Sequence, residues 1–90
     1  MILGKKIFAI ADIRLTHPAL RIERSSAGPD DLKFMMIPKN TIGNVLNVSP
    51  AGGTFYFQFK PPKFRDMFTT VEITLWVKRE FFGSFFEYKN

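Results

Sequence analysis

Apolar and polar residues alternate along much of the chain, which is the pattern of half-buried β-strands. The longest alternating stretch covers residues 6–16 and ends before Pro18, because proline cannot donate to a strand ladder. Residues 20–24 resume the alternation, so the two stretches predict a hairpin that bends at residues 17–19. A short apolar run at residues 32–37 predicts a third strand.

The second half of the chain contains further strand patterns and a hairpin turn. Residues 45–48 and 54–60 are predicted strands on either side of residues 49–53, a segment rich in glycine and proline. Residues 71–77 alternate cleanly and predict another strand. The basic, proline-stiffened loop of residues 60–67 would join the last two strands.

Two segments favour short helices. Residues 40–46 are predicted to form one helical turn, although Gly43 weakens that prediction. Near the C-terminus, Phe81, Phe85 and Tyr88 are spaced i, i+4, i+7, which predicts a short aromatic helix. The predicted fold class is mostly β (α+β), with a small antiparallel sheet of about five strands and a short C-terminal helix. A single domain accounts for all 90 residues, and because so small a fold has little surplus stability we expect it to form a homodimer.

Composition agrees with one folded domain and excludes several kinds of site. Hydrophobic residues make up 46% of the chain and charged residues 23%, values typical of a globular protein. Cysteine is absent and there is one histidine, which excludes disulfides, thiolate zinc sites and sites built from several imidazoles. No apolar run is long enough for a transmembrane helix or a signal peptide, so we expect a cytoplasmic protein.

The chain carries no recognisable motif for catalysis, metal binding or a cofactor. His17 lies beside a proline at a predicted bend without a nucleophile motif, so we expect a histidine at a surface turn. Asp30 and Asp31 are adjacent in a predicted turn. Gly52 and Gly53 precede a strand, which is the wrong context for a phosphate-binding loop. The sequence therefore predicts a protein that is not an enzyme and holds no metal or cofactor.

The charge balance favours an anionic partner. The net charge is +5 and the pI is near 9.8, a bias most often associated with nucleic acid and less often with an acidic protein or a membrane surface. No capped recognition helix is evident in the sequence. We therefore predict that the protein binds DNA or RNA, as single strands or with weak sequence specificity, and does not bind membranes.

Two aromatic residues mark the predicted binding surface. If residues 54–60 and 71–77 pair as neighbours, Tyr56 and Trp76 lie on one face of the sheet, with lysines around them. Such a face stacks bases on its rings and holds phosphates with its cations. The predicted nucleic-acid-binding residues are Lys60, Lys63, Arg65, Lys78, Arg79, Tyr56, Trp76 and Lys39.

Two alternatives stay open at the level of the sequence. The same rings could pack under the aromatic C-terminal helix or in a homodimer interface, since burial is the commoner fate of large aromatics. The protein could also be a protein–protein interaction module, such as a virus-encoded inhibitor or an assembly subunit, whose aromatic surface binds an acidic partner.

Three stretches that combine strand patterns with basic residues resemble those of a known family. They are residues 8–15 with residues 19–22, residues 33–39, and residues 64–67. The first is similar to the opening hairpin of the stage V sporulation protein G family, small nucleic-acid-binding regulators of bacteria. The others are similar to that family's apolar strand ending in Met-Pro and a basic residue, and to its aromatic-Arg-Asp-Ile run. The resemblance implies a small homodimeric β-rich fold that contacts DNA or RNA through basic residues, with Lys39 and Arg65 at matching positions.

Overall fold

The computed structural model describes residues 2–61 and 69–90, which form a mostly β, α+β fold, as predicted. Its strands are β1 (Lys6–Ala9), β2 (Ile13–Arg14), β3 (Leu20–Ser25), β4 (Met36–Ile37), β5 (Ile42–Val48), β6 (Gly52–Phe59), β7 (Val71–Lys78) and β8 (Phe86–Tyr88). Its helical segments are α1 (Pro29–Leu32), a 3-10 turn (Arg79–Phe81) and α2 (Phe82–Phe85). None of these helical segments is long and apolar enough to cross a membrane.

Six strands form one antiparallel sheet in the order β3-β7-β6-β5-β1-β8, and β2 pairs with β4 in a separate ribbon. The sequence predicted the β5–β6 hairpin and the β7 strand correctly, and β6 and β7 are neighbours. The six-stranded sheet is larger than the predicted sheet of about five strands. Its two edge strands are β3 and β8, which come from opposite ends of the chain.

One face of the six-stranded sheet, the inner face, carries the hydrophobic core. Its buried residues are Ile7, Ala9, Val45, Phe55, Phe57, Phe59, Val71, Ile73, Leu75, Val77 and Phe86. The ribbon covers part of this face with the buried side chains of Ile13 and Ile37, and α2 covers another part with Phe82. Burying each large apolar side chain contributes about 1.5–3 kcal/mol, so the inner face supplies most of the driving force for folding.

The prediction of a helical turn at residues 40–46 is wrong, because that segment belongs to β5. Gly43 is buried opposite Phe57 in the β5–β6 ladder. A Cβ added to Gly43 would lie 2.6 Å from Cδ1 of the Phe57 ring. The glycine therefore makes room for a core aromatic on the neighbouring strand, which is a known role of glycine inside strands.

The predicted N-terminal hairpin is also wrong. Residues 6–16 divide into β1 and β2, which lie in different sheets. The chain leaves the large sheet after Ala9, where Ile10 donates its backbone N–H to the Phe85 carbonyl at 2.9 Å. The following strand, β3, pairs with β7 instead of returning along β1. The alternation of buried and exposed residues is retained, since Ile13 is buried like Ile7. Ile7, however, lies in the six-stranded sheet and Ile13 in the ribbon.

The remaining differences concern short elements. Of the predicted strand at residues 32–37, only residues 36 and 37 form a strand, β4. The helix α1, which begins at Pro29, extends to Leu32 and so includes the first residue of the predicted strand. The predicted short C-terminal helix is confirmed but ends at Phe85. The next three residues form β8 beside β1. Of the three regularly spaced aromatic residues, Phe81 and Phe85 therefore lie in helical segments and Tyr88 lies in a strand. Phe86 stacks on Phe57 with ring centroids 5.3 Å apart, which fixes β8 to the core.

Tyr88 provides a test of how this C-terminal strand is packed. Its hydroxyl oxygen is buried without a hydrogen-bond partner among the described residues, and its ring lies 5.5 Å from that of Phe82. An unsatisfied buried polar group costs about 1–3 kcal/mol. We expect Tyr88→Phe, which keeps the ring contact, to raise the free energy of unfolding in urea by about 1 kcal/mol. Tyr56→Phe is the control and should give no gain, because it removes an exposed, bonded hydroxyl; a loss of stability in Tyr88→Phe would contradict the prediction.

Candidate nucleic-acid interface

The other side of the six-stranded sheet, the outer face, is open to solvent. By strand register its residues are Lys6, Phe8, Arg21, Arg24, Ile42, Asn44, Thr54, Tyr56, Gln58, Glu72, Thr74, Trp76, Lys78 and Glu87. Each of them is exposed or half-buried, and none is buried. No described part of the chain therefore forms a second layer over this face.

Tyr56 and Trp76 lie on the outer face, as the sequence predicted. Thr54 is opposite Trp76 and Tyr56 is opposite Thr74 in the β6–β7 ladder, so the two rings occupy diagonal positions. The C-terminal helix α2 lies on the inner face, where Phe82 stacks on Phe55 at 5.5 Å. The alternative that this helix covers the two rings is therefore wrong.

The indole of Trp76 is held between two strands. The Arg21 guanidinium, from β3, lies 4.8 Å from the ring centroid in a cation–π contact. On the β6 side, a Cβ added to Gly52 would lie 2.6 Å from Cζ2 of the ring. Glycine at this position lets the indole lie close to the backbone. Arg21 lies over the ring and is itself exposed, so its planar guanidinium is the outer group of this contact.

Tyr56 is held by a carboxylate. Its hydroxyl donates a 2.6 Å hydrogen bond to Oε1 of Glu72, which lies two residues along β7 from Thr74, the register partner of Tyr56. This bond holds the phenol and the carboxylate next to each other on the outer face. It also raises the pKa of Tyr56, with smaller contributions from desolvation and from the negative charge of Glu72.

The Tyr56 titration should report this bond directly. The hydrogen bond favours the protonated phenol, so ionisation of Tyr56 in the folded protein should occur above its ordinary pKa of 10.0. We expect Glu72→Gln, which removes the charge and weakens the acceptor, to move the midpoint down toward that ordinary value. The measurement is NMR of ¹³Cζ-labelled tyrosine, which resolves Tyr56 from Tyr88 in one sample. Glu87→Gln is the matched control, and an equal shift in both variants would contradict the assignment.

Three open grooves lie along the outer face, and each has at least one aromatic residue in its wall. The groove at Tyr56 has a volume of about 580 Å³, the groove at Trp76 about 260 Å³, and the groove at Phe8 about 380 Å³. The first arises from a row across three strands in which the small Thr74 stands between Arg24 and Tyr56. A short polar side chain between two long ones leaves a depression in a pleated sheet.

Cations are interleaved with these rings. Lys6, Arg21, Arg24 and Lys78 lie on the outer face, with the carboxylates of Glu72 and Glu87. Arg21 contacts Glu23 at 3.5 Å and Lys78 contacts Glu80 at 3.5 Å, and exposed pairs of this kind are weak. Within the described ranges, Lys6 and Arg24 form no salt bridge.

The structure does not gather all of the predicted cations. Lys60 and Lys78 lie at opposite ends of the β6–β7 ladder, about 25 Å apart at the usual rise per residue. Arg79 is in the 3-10 turn, where its backbone N–H donates to the Ala51 carbonyl at 2.9 Å. Lys39 is exposed before β5, and its backbone N–H donates to Asp12 at 2.8 Å. Lys63 and Arg65 lie outside the described residues.

Sequence reasoning missed Arg21, Arg24 and Glu72 as members of the site. Their alternation with apolar neighbours indicates that they lie on exposed strand faces. It does not indicate which strand lies next to each of them. Only the pairing of β3 with β7 brings Arg21 to Trp76 and Arg24 to Thr74. A contact between segments so distant in sequence leaves no local signal.

The features that suggested other chemistry have structural roles. His17 is exposed at a turn, as predicted, where its Nδ1 accepts the backbone N–H of Ala19 at 3.0 Å and its ring meets the Phe85 ring edge-on. Among the described residues, no group of three or more His, Asp or Glu is arranged to hold a metal ion.

In comparisons with known proteins, no protein-family model, no curated protein and no solved structure matches the chain.

Proposed function

We propose that the protein is a cytoplasmic, non-enzymatic nucleic-acid-binding protein that holds single strands on the outer face of its six-stranded sheet. The observation that carries this proposal is the set of three grooves with aromatic walls on a face that also carries Lys6, Arg21, Arg24 and Lys78. Bases have apolar faces and a charged backbone, so a binding surface for single strands needs flat stacking groups and cations at alternating positions. The outer face has both.

The outer face is better suited to a single strand than to a duplex. Each described helical segment spans four residues or fewer, which is too short for a recognition helix. Bases in a duplex are stacked on each other and present only their edges. The rings of Tyr56, Phe8 and the Arg21–Trp76 stack can be used fully only by bases that are unstacked.

Intrinsic fluorescence of Trp76 is the experiment that tests the proposal. The chain contains one tryptophan, so the signal reports one place on the outer face. We expect titration with a single-stranded oligonucleotide to quench the fluorescence, more strongly than a duplex of the same sequence. The affinity should fall as salt rises, because each phosphate contact releases counterions. If fluorescence does not change and a labelled oligonucleotide shows no rise in anisotropy at either salt concentration, the proposal is wrong.

A protein partner is the second candidate, and one observation favours it. Ile2, Leu3 and Leu46 are 53%, 65% and 50% exposed, and the backbone near them is joined by the bond from Gly4 N–H to the Val45 carbonyl. Exposed apolar groups that lie close together mark protein interaction surfaces. Salt separates the two candidates: an apolar contact should respond weakly to salt, whereas nucleic-acid binding should weaken steeply.

A further inference from the structure

The groove at Tyr56 combines a fixed hydrogen-bond acceptor with a cation on a face that otherwise suits any base. Its lining includes Arg24, Tyr56, Glu72 and Thr74. Glu72 is exposed and uses Oε1 to accept the Tyr56 hydroxyl. An ionised carboxylate has two oxygens and about four acceptor positions, so Glu72 retains capacity for further donors.

A carboxylate at this position has a cost for a protein that binds only the phosphate backbone, because like charges repel. Its presence is useful if the ligand offers N–H groups at the same place. Arg24, opposite Thr74 on the neighbouring strand β3, offers N–H donors and has no salt-bridge partner among the described residues. The groove therefore presents acceptors from β7 and donors from β3, beside the aromatic ring of Tyr56 on β6.

We infer that this groove selects guanine from a single strand, a conclusion that rests on the proposed nucleic-acid-binding function. Guanine has two adjacent donors, N1–H and the N2 amine, which match the two oxygens of a carboxylate. Its O6 and N7 atoms are acceptors, and they match an arginine guanidinium. In the groove the base stacks on Tyr56, donates to Glu72 and accepts from Arg24.

The other bases match these groups less completely. Thymine and uracil have one N–H donor between two carbonyl oxygens, and those oxygens would face the carboxylate unfavourably. Cytosine and adenine offer a single exocyclic amine beside a ring acceptor, so each can donate to Glu72 through one group only. A complete bidentate match is worth about 5- to 150-fold in discrimination. At an open, solvated groove we expect about tenfold, near the lower end of that range.

The test uses the full chain and a short fluorescein-labelled oligothymidylate with one central substitution. Anisotropy at a fixed salt concentration gives the affinity for guanine, hypoxanthine, adenine, cytosine or thymine at that position. We expect the guanine oligonucleotide to bind about tenfold more tightly than the thymine one. Hypoxanthine lacks only the N2 amine, so it should lose most of this preference without any change to the protein.

Variants then assign the preference to Glu72. Glu72→Gln keeps the length of the side chain but replaces one acceptor with a donor, so the preference for guanine should disappear while affinity for plain oligothymidylate rises slightly. Asp30→Asn removes one carboxylate charge on α1, outside the six-stranded sheet, and should keep the preference. Equal affinity for guanine and thymine in the native chain, or a preference that survives Glu72→Gln, would overturn the inference and leave the proposed function standing. No binding of any oligonucleotide would overturn both.

Discussion

Reversing the charges of Arg21 and Arg24 together is expected to weaken single-strand binding by about 100-fold or more at low salt. Hydrogen bonds to charged groups contribute about 1.5–3 kcal/mol each, and both guanidinium groups lie on the outer face beside the grooves. If each contacts one phosphate, Arg21→Glu with Arg24→Glu should also reduce the slope of log affinity against log salt by about 1.4. Anisotropy titrations of a labelled oligothymidylate across a salt series measure both quantities.

The matched control reverses two cations that lie outside the six-stranded sheet. Arg14 is exposed on the ribbon that covers the inner face, and Lys33 follows directly after α1. Arg14→Glu with Lys33→Glu makes the same change in net charge, so its effect on affinity isolates the contribution of overall charge. If the two double variants lose affinity and salt dependence equally, the outer face is not the binding surface. Circular dichroism should show native secondary structure in both.

Replacing Phe57 with alanine is expected to cost about 3–5 kcal/mol of stability. Small proteins have a total stability of about 5–15 kcal/mol, so this variant should be close to unfolding. Phe57 is fully buried and stacks on Phe86, and its ring lies over Gly43. Because Gly43 has no side chain, the neighbouring strand offers nothing that can fill the cavity. Urea denaturation followed by circular dichroism measures the loss.

Two variants make this prediction specific. Leu46→Ala, on β5, removes a side chain that is 50% exposed and should cost less than about 1 kcal/mol. Gly43→Ala should destabilise the native chain, because its Cβ would meet the Phe57 ring, but should be tolerated when Phe57 is already alanine. The double-mutant cycle should therefore show a favourable coupling. Additive effects of the two substitutions would show that ring and glycine are not in contact.

The strands of the central sheet could be predicted because their signals are local. In β6 and β7 every second residue is buried, and the turn at residues 49–53 separates β5 from β6 in the sequence itself. Period-two alternation reports which residues share a face, whatever the partner strand is. For that reason the sequence places Tyr56 and Trp76 on one surface provided that β6 and β7 are neighbours, which they are.

The same alternation failed where it continued across a change of layer. Residues 6–16 keep one period, yet β1 lies in the six-stranded sheet and β2 in the ribbon. Gly43 weakened the prediction of a helical turn but did not indicate a strand, because the reason for this glycine is the Phe57 ring on the adjacent strand. Both features depend on residues far away in the sequence, and a pattern within one segment cannot contain them.

The amino-acid order alone is sufficient for the mostly β class and for the shared face of Phe55, Phe57 and Phe59, because alternation and turn residues act within a few positions. The composition of the candidate site is different. Arg21 reaches Trp76, and Arg24 faces Tyr56 across Thr74, only because β3 pairs with β7, and Lys60 and Lys78 separate only because the ladder is antiparallel. Strand partners are chosen by burial of a whole face at once, which is a property of the folded chain and of no single segment.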